Sequence, residues 1–328
     1  MRRVTFTSAS AEKCQLIYGE GLLDKLPESL KILDSGLRKA LGIKLKDEYL
    51  LPGGEHVKAI DRVFEIYQLI RTSPSKRLAA IGGGSIIDVV GFAASTHSYI
   101  SELVVLPSTT VSQVMPALNG FSINFEFVKD LLHSEGLPSK VFVDSGLTYG
   151  SVAGSSMSEI LFPLLVALSF DSRLFRYIHN HISSGSTVSE ELWADIVYSA
   201  SAAYTKAAGE RKAAVGSEMA KAIQTASRLR TDYSTALIHG AISELSLARS
   251  YGLLTGSQES DFVSAVGMLW RKERSLRIDF SSLVDIVNNR GGIRINLPET
   301  SRDTSCLVMA GDFEKTVRER PWMGLGGL

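Results

Sequence analysis

Residues Leu78–Asp88 read LAAIGGGSIID, and this segment constrains the fold more than any other. A short apolar run, Leu78 to Ile81, leads directly into Gly82-Gly83-Gly84. Ser85, an apolar turn and Asp88 follow, and helical spacing continues through Val89, Val90, Phe92 and Ala93. A buried strand hands over to a helix in this way where the backbone meets an anion. Glycine permits close approach, and the helix start directs amides and a positive dipole end at negative charge. A second apolar strand, Leu103–Leu106, ends in Pro107-Ser108-Thr109-Thr110, which sets hydroxyls beside the first loop. Two strand ends with anion-binding groups point to a dinucleotide crevice at the carboxyl edge of a parallel sheet.

The bulk properties fit that reading. The 328 residues are 45% hydrophobic and 21% charged, enough for a sizeable core and too apolar for global disorder. Lys plus Arg and Asp plus Glu are each 35, so the net charge is zero and no basic face for nucleic acid is expected. The two cysteines, Cys14 and Cys306, lack metal-type spacing. The start, Met1-Arg2-Arg3 before Val4–Thr7, alternates like a strand and lacks a signal-peptide core. No apolar run reaches membrane-spanning length. A cytoplasmic protein with no membrane partner is expected.

Periodicity divides the chain near residue 148. Residues 1–148 read as an α/β nucleotide-binding domain. Strands fall at 4–7, 14–17, 31–34, 47–51, 78–81, 103–106 and 141–144, and helices at 19–30, 57–72 and after Gly84. Residues 149–328 read as all-α, with helices near 156–170, 188–208, 212–229, 233–253, 257–271 and 279–289. Residues 183–189 are an inter-helix loop, and Ile293–Pro298 is a lone strand or extended tail.

Several motifs, in order, resemble those of the 3-dehydroquinate synthase family, the sugar-phosphate cyclases more distantly related to glycerol dehydrogenases. Gly53–Lys58 resembles the family's DGExxK turn, and Gly82–Thr96 its GGGxxxDxxGFxAxT run. Pro107–Val114 resembles PTTxxxQV. Lys129-Asp130-Leu131 with Pro138 and Val141–Asp144 resembles KN(L/I)…P…VxVD. Ser155–Leu161 resembles SGxAEVI, Leu237–Gly240 resembles LHGE, and Asn289–Pro298 resembles the late GGxIRFVLP strand.

The resemblance implies a dehydroquinate synthase-like fold, NAD, and a divalent metal such as zinc or cobalt. It implies a phosphorylated sugar-acid substrate that is transiently oxidised, loses phosphate and closes into a carbocycle, as in the shikimate route to aromatic amino acids. It assigns NAD to Glu55, Lys58, Gly83, Gly84, Ser85, Asp88, Thr109 and Thr110, and Asp34, at a strand end where an acid grips ribose hydroxyls, joins them. Glu55 and Lys58 fall where the family holds the adenosine ribose. It assigns the metal to Glu159 and His239, and substrate anions to Lys129 and Arg211, with Lys221 a nearby cation that can compensate. A homodimer is open to such a chain.

This chain also departs from the family. Ser217 and Lys221 stand where the family's GHTxGHA has histidines, so the metal set is incomplete. Phe162 replaces the AEVIK lysine, and Met115 the acid after PTTxxxQV. The stretch 119–125 and the late Ile286–Asn288 lack their lysines, and the TYxRG arginine is missing near His97–Ile100. Lys206 and Lys212 are near enough in sequence to compensate. Three functions stay open: an active cyclase, a nucleotide-binding homologue that has lost the reaction, and a polyol or glycerol-phosphate dehydrogenase.

Overall fold

The computed structural model describes residues 1–8, 12–153, 157–254, 257–270 and 280–319. The chain forms two compact units. Unit 1 holds Met1–Glu126, Asp130–Ser151 and Ser189–Arg211, and unit 2 holds Phe127–Lys129, Val152–Val188 and Lys212–Leu328. Relative to a single cut after residue 148, two segments change sides: Phe127–Lys129 groups with unit 2, and Ser189–Arg211, which holds the long helix over Glu190–Gly209, groups with the α/β unit.

Unit 1 begins with β1 (Arg2–Thr7), β2 (Lys13–Gly19), β3 (Leu30–Asp34), α1 (Ser35–Leu41) and β4 (Glu48–Leu51). It continues with α2 (Ile60–Thr72), β5 (Arg77–Gly82), α3 (Gly84–Thr96), β6 (Glu102–Pro107) and α4 (Thr110–Val114). A two-stranded hairpin, β7 (Phe121–Phe125) and β8 (Val128–Ser134), precedes β9 (Lys140–Asp144) and α5 (Gly146–Ala153). The main sheet runs β1-β2-β9-β6-β5-β3-β4, with β1 antiparallel and the rest parallel. Parallel strands covered on both faces read as continuous apolar runs, and Leu78–Ile81 and Leu103–Leu106 are buried throughout.

Unit 2 contains α6 (Leu161–Phe170), α7 (Ser172–Ser183), α9 (Ser217–Ala226), α10 (Tyr233–Ser250), α11 (Gln258–Leu269) and α12 (Phe280–Asn289). The exchanged helix of unit 1 is α8. A hairpin of β10 (Gly292–Asn296) and β11 (Ser305–Met309), then α13 (Ala310–Glu319), completes unit 2. Every residue of α6 from Leu161 to Ser169 is buried, so α6 is the axis of this core. Helices α7 and α11 pack on α6, while α9 packs on α10 and α12.

The structure corrects several sequence expectations. Residues 19–30 hold only a short 3-10 turn at Leu22–Lys25, because β3 already starts at Leu30. Helix α7 is absent from the sequence reading. Yet Phe175, Ile178 and Ile182 supply its buried stripe, and Asp171 caps it by accepting from the Arg173 and Leu174 amides. The strand near 293–298 is not alone, since β10 pairs antiparallel with β11. The β7–β8 hairpin is also absent from the sequence reading, and its second strand carries Lys129 and His133. The expected helix limits at 156, 271 and 279 lie outside the described residues, as do Ser155 and Ser156 of the SSMSEIL stretch.

Candidate functional site

The chain leaves β3, crosses to β4 on one side, and returns to β5 on the other side of β3. The carboxyl ends of β3 and β5 therefore flank a topological switch point, where open α/β sheets bind ligands. Asp34 ends β3, and Gly82 ends β5. A Cβ on Gly82 would lie 3.1 Å from the Asp34 Cβ, and one on Gly53 would lie 2.5 Å from Asp34 Oδ2. A side chain at either glycine would press on the acid. Asp34 Oδ1 accepts from the Gly36 and Leu37 amides at 2.7 and 3.1 Å, capping α1.

Beside this acid, Gly83 is the N-cap of α3, and no side chain caps that helix. Gly84 is exposed, and a Cβ placed on it would meet nothing within 4 Å. A side chain at this position would enter open space at the positive dipole end of α3. Thr109 closes the same edge: a Cβ on Gly83 would lie 3.1 Å from Thr109 Cγ2. Thr109 also forms a capping box with Ser112 that starts α4. The Thr110 hydroxyl is buried and has no hydrogen-bond partner. The structure thus brings Asp34, Gly83, Gly84, Ser85, Thr109 and Thr110 to one edge, and these residues fit a dinucleotide.

Glu55, Lys58 and Asp88 form a second group. Lys58 Nζ donates to Asp88 Oδ2 and to Asp130 Oδ1, both at 2.6 Å, and its side chain is 2% exposed. Burial draws the ammonium's pKa down, but Asp88, Asp130 and Glu55 outweigh it and hold it well above the ordinary lysine value. Asn124 Nδ2 donates to Glu55 O and Oε2 at 3.2 and 3.1 Å, and its Oδ1 accepts the Asp130 amide at 3.0 Å. Tyr204 of α8 is near enough for Asp88 to add to the effect of burial, which pushes the phenol up to about 12.

Unit 2 carries the residues assigned to metal. Glu159 lies in a 3-10 turn, Met157–Ile160, rather than in a regular helix, and is half-buried. His239 lies half-buried on α10. Ser217, at the expected third ligand, donates its hydroxyl to Ala214 O at 2.6 Å, and Glu218 pairs with Lys221 at 2.9 Å. Phe162 is fully buried in α6. Among the described residues, no group of three or more His, Cys, Asp or Glu is arranged to hold a metal ion. The residues present do not fit the metal site of the resemblance.

The cations assigned to substrate divide between the units. Arg211, exposed and at φ +55° just after α8, belongs to unit 1. Lys129 and Lys221 belong to unit 2 and meet around one side chain. Thr225 Oγ1 accepts the Lys129 amide at 3.2 Å and donates to Lys221 O at 2.8 Å. The Lys129 ammonium lies 5.6 Å from the Tyr233 ring centre.

Glu244 was missed from sequence. It is fully buried on α10, and its carboxylate accepts the amides of Gly216 (2.8 Å), Met219 (3.0 Å) and Asn296 (2.8 Å). Burial pushes its pKa up to about 7 against the lowering effect of those amides, and Glu218 adds to the rise. An acid sharing a helix face with Leu237, Ala241, Leu245 and Ala248 was the available signal. The thiol of Cys14 is inert, since burial pushes its pKa up to about 12.

Residues 48–150 match the family described as 3-dehydroquinate synthase N-terminal. The 3-dehydroquinate synthase of Campylobacter hominis is 28% identical over 134 residues, 40% of this chain and 39% of that protein. The match thus spans about two-fifths of that curated relative's length. The whole fold is similar to that of 2-epi-5-epi-valiolone synthase from Streptomyces hygroscopicus subsp. jinggangensis 5008, solved with NAD+ and Zn2+ (TM-score 0.76, 18% identity, 97% of each chain). It is also similar to 2-deoxy-scyllo-inosose synthase complexed with carbaglucose-6-phosphate, NAD+ and Co2+ (TM-score 0.74, 19% identity, 97% of this chain and 99% of that one). The fold is dehydroquinate synthase-like, as the motifs imply. No helix among the described residues is long and apolar enough to cross a membrane.

Proposed function

We propose, for a chain whose residues 48–150 belong to the 3-dehydroquinate synthase family and whose fold is that of the sugar-phosphate cyclases, that NAD binds along the switch-point edge of unit 1. The observation that carries this reading is the uncapped start of α3 at the exposed Gly84, beside Asp34 and Thr109. The α3 amides take the pyrophosphate, and the Asp34 carboxylate faces the ribose hydroxyls. Bound NAD supplies a hydride acceptor.

The finer reading is a 3-dehydroquinate synthase-type cyclase acting on a phosphorylated sugar acid, with Lys129, Arg211 and Lys221 as anion partners. A second reading, an NAD-binding homologue without the cyclisation reaction, is favoured by Phe162 and by the Ser217 hydroxyl bonded to its own helix turn. Two measurements separate them. Calorimetry with NAD tests the shared premise, and absence of binding rejects both. Phosphate release from the seven-carbon sugar-acid phosphate, with NAD and zinc added, supports the first reading if catalytic and the second if absent.

A further inference from the structure

Strands β6 and β9 pair at Val104 with Lys140 and at Val105 with Val141. Their carboxyl ends are joined instead by a side chain. Gln113 Nε2 donates to Pro107 O at 3.2 Å and to Asp144 O at 2.6 Å, the last residues of the two strands. Both amide hydrogens are thus used, and Oε1 is left to accept. It takes the Thr148 hydroxyl of α5 at 2.9 Å. Ser145 O lies 3.1 Å from the same hydroxyl but already accepts the Thr148 and Tyr149 amides, whereas Oε1 would otherwise be buried without a partner. Thr148 Oγ1 in turn accepts from Trp193 Nε1 at 3.0 Å. An indole N–H only donates, so the chain runs one way, from Trp193 through Thr148 and Gln113 to two strand-end carbonyls. All three side chains are buried, and all three residues belong to unit 1. Trp193 sits in the first turn of α8, so the return of α8 to unit 1 delivers the start of this chain.

The other end of the chain reaches the nucleotide edge. The Gln113 amide closes α4 on Thr109 O at 3.0 Å, and the Ser108 amide ties the preceding loop to Gly82 O at 2.9 Å. Thr109 and Thr110 lie between these two anchors, and Thr110 carries a buried hydroxyl without a partner. Building on the NAD reading, we infer that Gln113, Thr148 and Trp193 are positioning residues: a directed hydrogen-bond relay through which α8 sets the placement of Thr109 and Thr110 at the dinucleotide. They act through α4 rather than on the ligand.

The test uses the full chain with Thr148→Val, Thr148→Ser, Trp193→Phe and the Thr148→Val/Trp193→Phe double variant. It combines NAD calorimetry with amide hydrogen exchange at residues 109–115 of the free protein. Thr148→Val keeps the shape and breaks the relay, whereas Thr148→Ser keeps the hydroxyl and loses a packed methyl. The relay predicts roughly five- to tenfold weaker NAD binding in Thr148→Val, with Thr148→Ser within about twofold of the parent. Exchange should be faster in Thr148→Val and near that of the parent in Thr148→Ser. Trp193→Phe should show a smaller effect in the same direction, and the double variant should bind no more weakly than Thr148→Val alone. The reverse order, with Thr148→Ser the weaker binder, would make Thr148 a packing residue and overturn the inference. Parent affinity and exchange in Thr148→Val would overturn it as well. If one position does not tolerate substitution, the other decides on both readouts. If the parent protein does not bind NAD, the functional reading fails by itself. Exchange then decides the relay: faster exchange in Thr148→Val than in Thr148→Ser supports it, and equal or reversed rates overturn it.

Discussion

Each unit buries a charge in its own way. In unit 1 the Lys58 ammonium is matched by the carboxylates of Asp88 and Asp130, and acidic charge remains in surplus through Glu55. In unit 2 the Glu244 carboxylate has no cation among its described partners and is held by three backbone amides. The first arrangement ties α3 to β8. The second joins the start of α9 to α10 and β10, and leaves nothing over for a ligand. Around Glu244 the other polar groups are similarly committed: Ser217 to Ala214, Lys221 to Glu218, and Gln224 Nε2 to Thr231 O. Even the helix contact is closed, since a Cβ on Gly240 would lie 2.5 Å from Gly216 O. Unit 1 leaves the start of α3 without a side-chain cap, whereas in unit 2 Ser217 and Lys221, which stand at histidine positions of the resemblance, are committed to neighbouring groups.

The largest effect should come from breaking the ion network. Lys58→Met leaves two carboxylates facing each other without their shared cation, which should cost roughly 3–5 kcal/mol of stability. Denaturant unfolding reads this directly. A loss under about 1 kcal/mol would mean that the network is solvated and the contrast with Glu244 is unfounded.

The next effect is a pH dependence carried by Glu244. Its folded pKa, about 7, lies above the ordinary glutamate value. Between those values the native state binds more protons than the unfolded chain, so stability falls as pH rises. The loss begins near the ordinary value, about 4.3, and is complete above the folded value, amounting to roughly 3–4 kcal/mol. Glu244→Gln removes this titration. The difference between parent and variant stability should therefore change across that window, and a constant difference from pH 4 to 8 would contradict the assignment.

The smallest effect concerns the orphan hydroxyl of Thr110. Thr110→Val keeps the shape and removes a buried group that lacks a partner, so unfolding should shift by no more than about 1 kcal/mol, toward greater stability. A clear loss would reveal a hydrogen bond that the free protein makes after all.

Unit 1 was the more legible half in sequence, for physical reasons. Apolar runs ending in Gly82-Gly83-Gly84 or Pro107-Ser108 mark parallel strands and the loops at their carboxyl ends, and those signals are local. The β7–β8 hairpin was not legible, because its turn uses Glu126 and Phe127 at positive φ where glycine or asparagine is the usual marker. The ion network was half legible: Lys58 and Asp88 stood in motifs, but Asp130 reaches Lys58 across 72 residues. In unit 2, a mainly apolar helix such as α6 shows no face, and the exchange of α8 into unit 1 depends on tertiary packing alone. Glu244 is also invisible to motif reasoning, since its partners are backbone amides of residues with no chemical signature.

The central claim, a dinucleotide at the start of α3, is tested most directly by Gly84→Val. A side chain there enters open space in the free protein, so folding should be almost unaffected apart from the small helix-propensity cost of a β-branched residue. The same side chain stands in the approach of a pyrophosphate to the α3 amides. NAD calorimetry on the parent and the variant, alongside their unfolding midpoints, is the measurement. The account predicts binding by the parent and at least tenfold weaker binding by Gly84→Val at an almost unchanged midpoint. Equal NAD affinity in the two proteins, or no affinity in the parent, would contradict it.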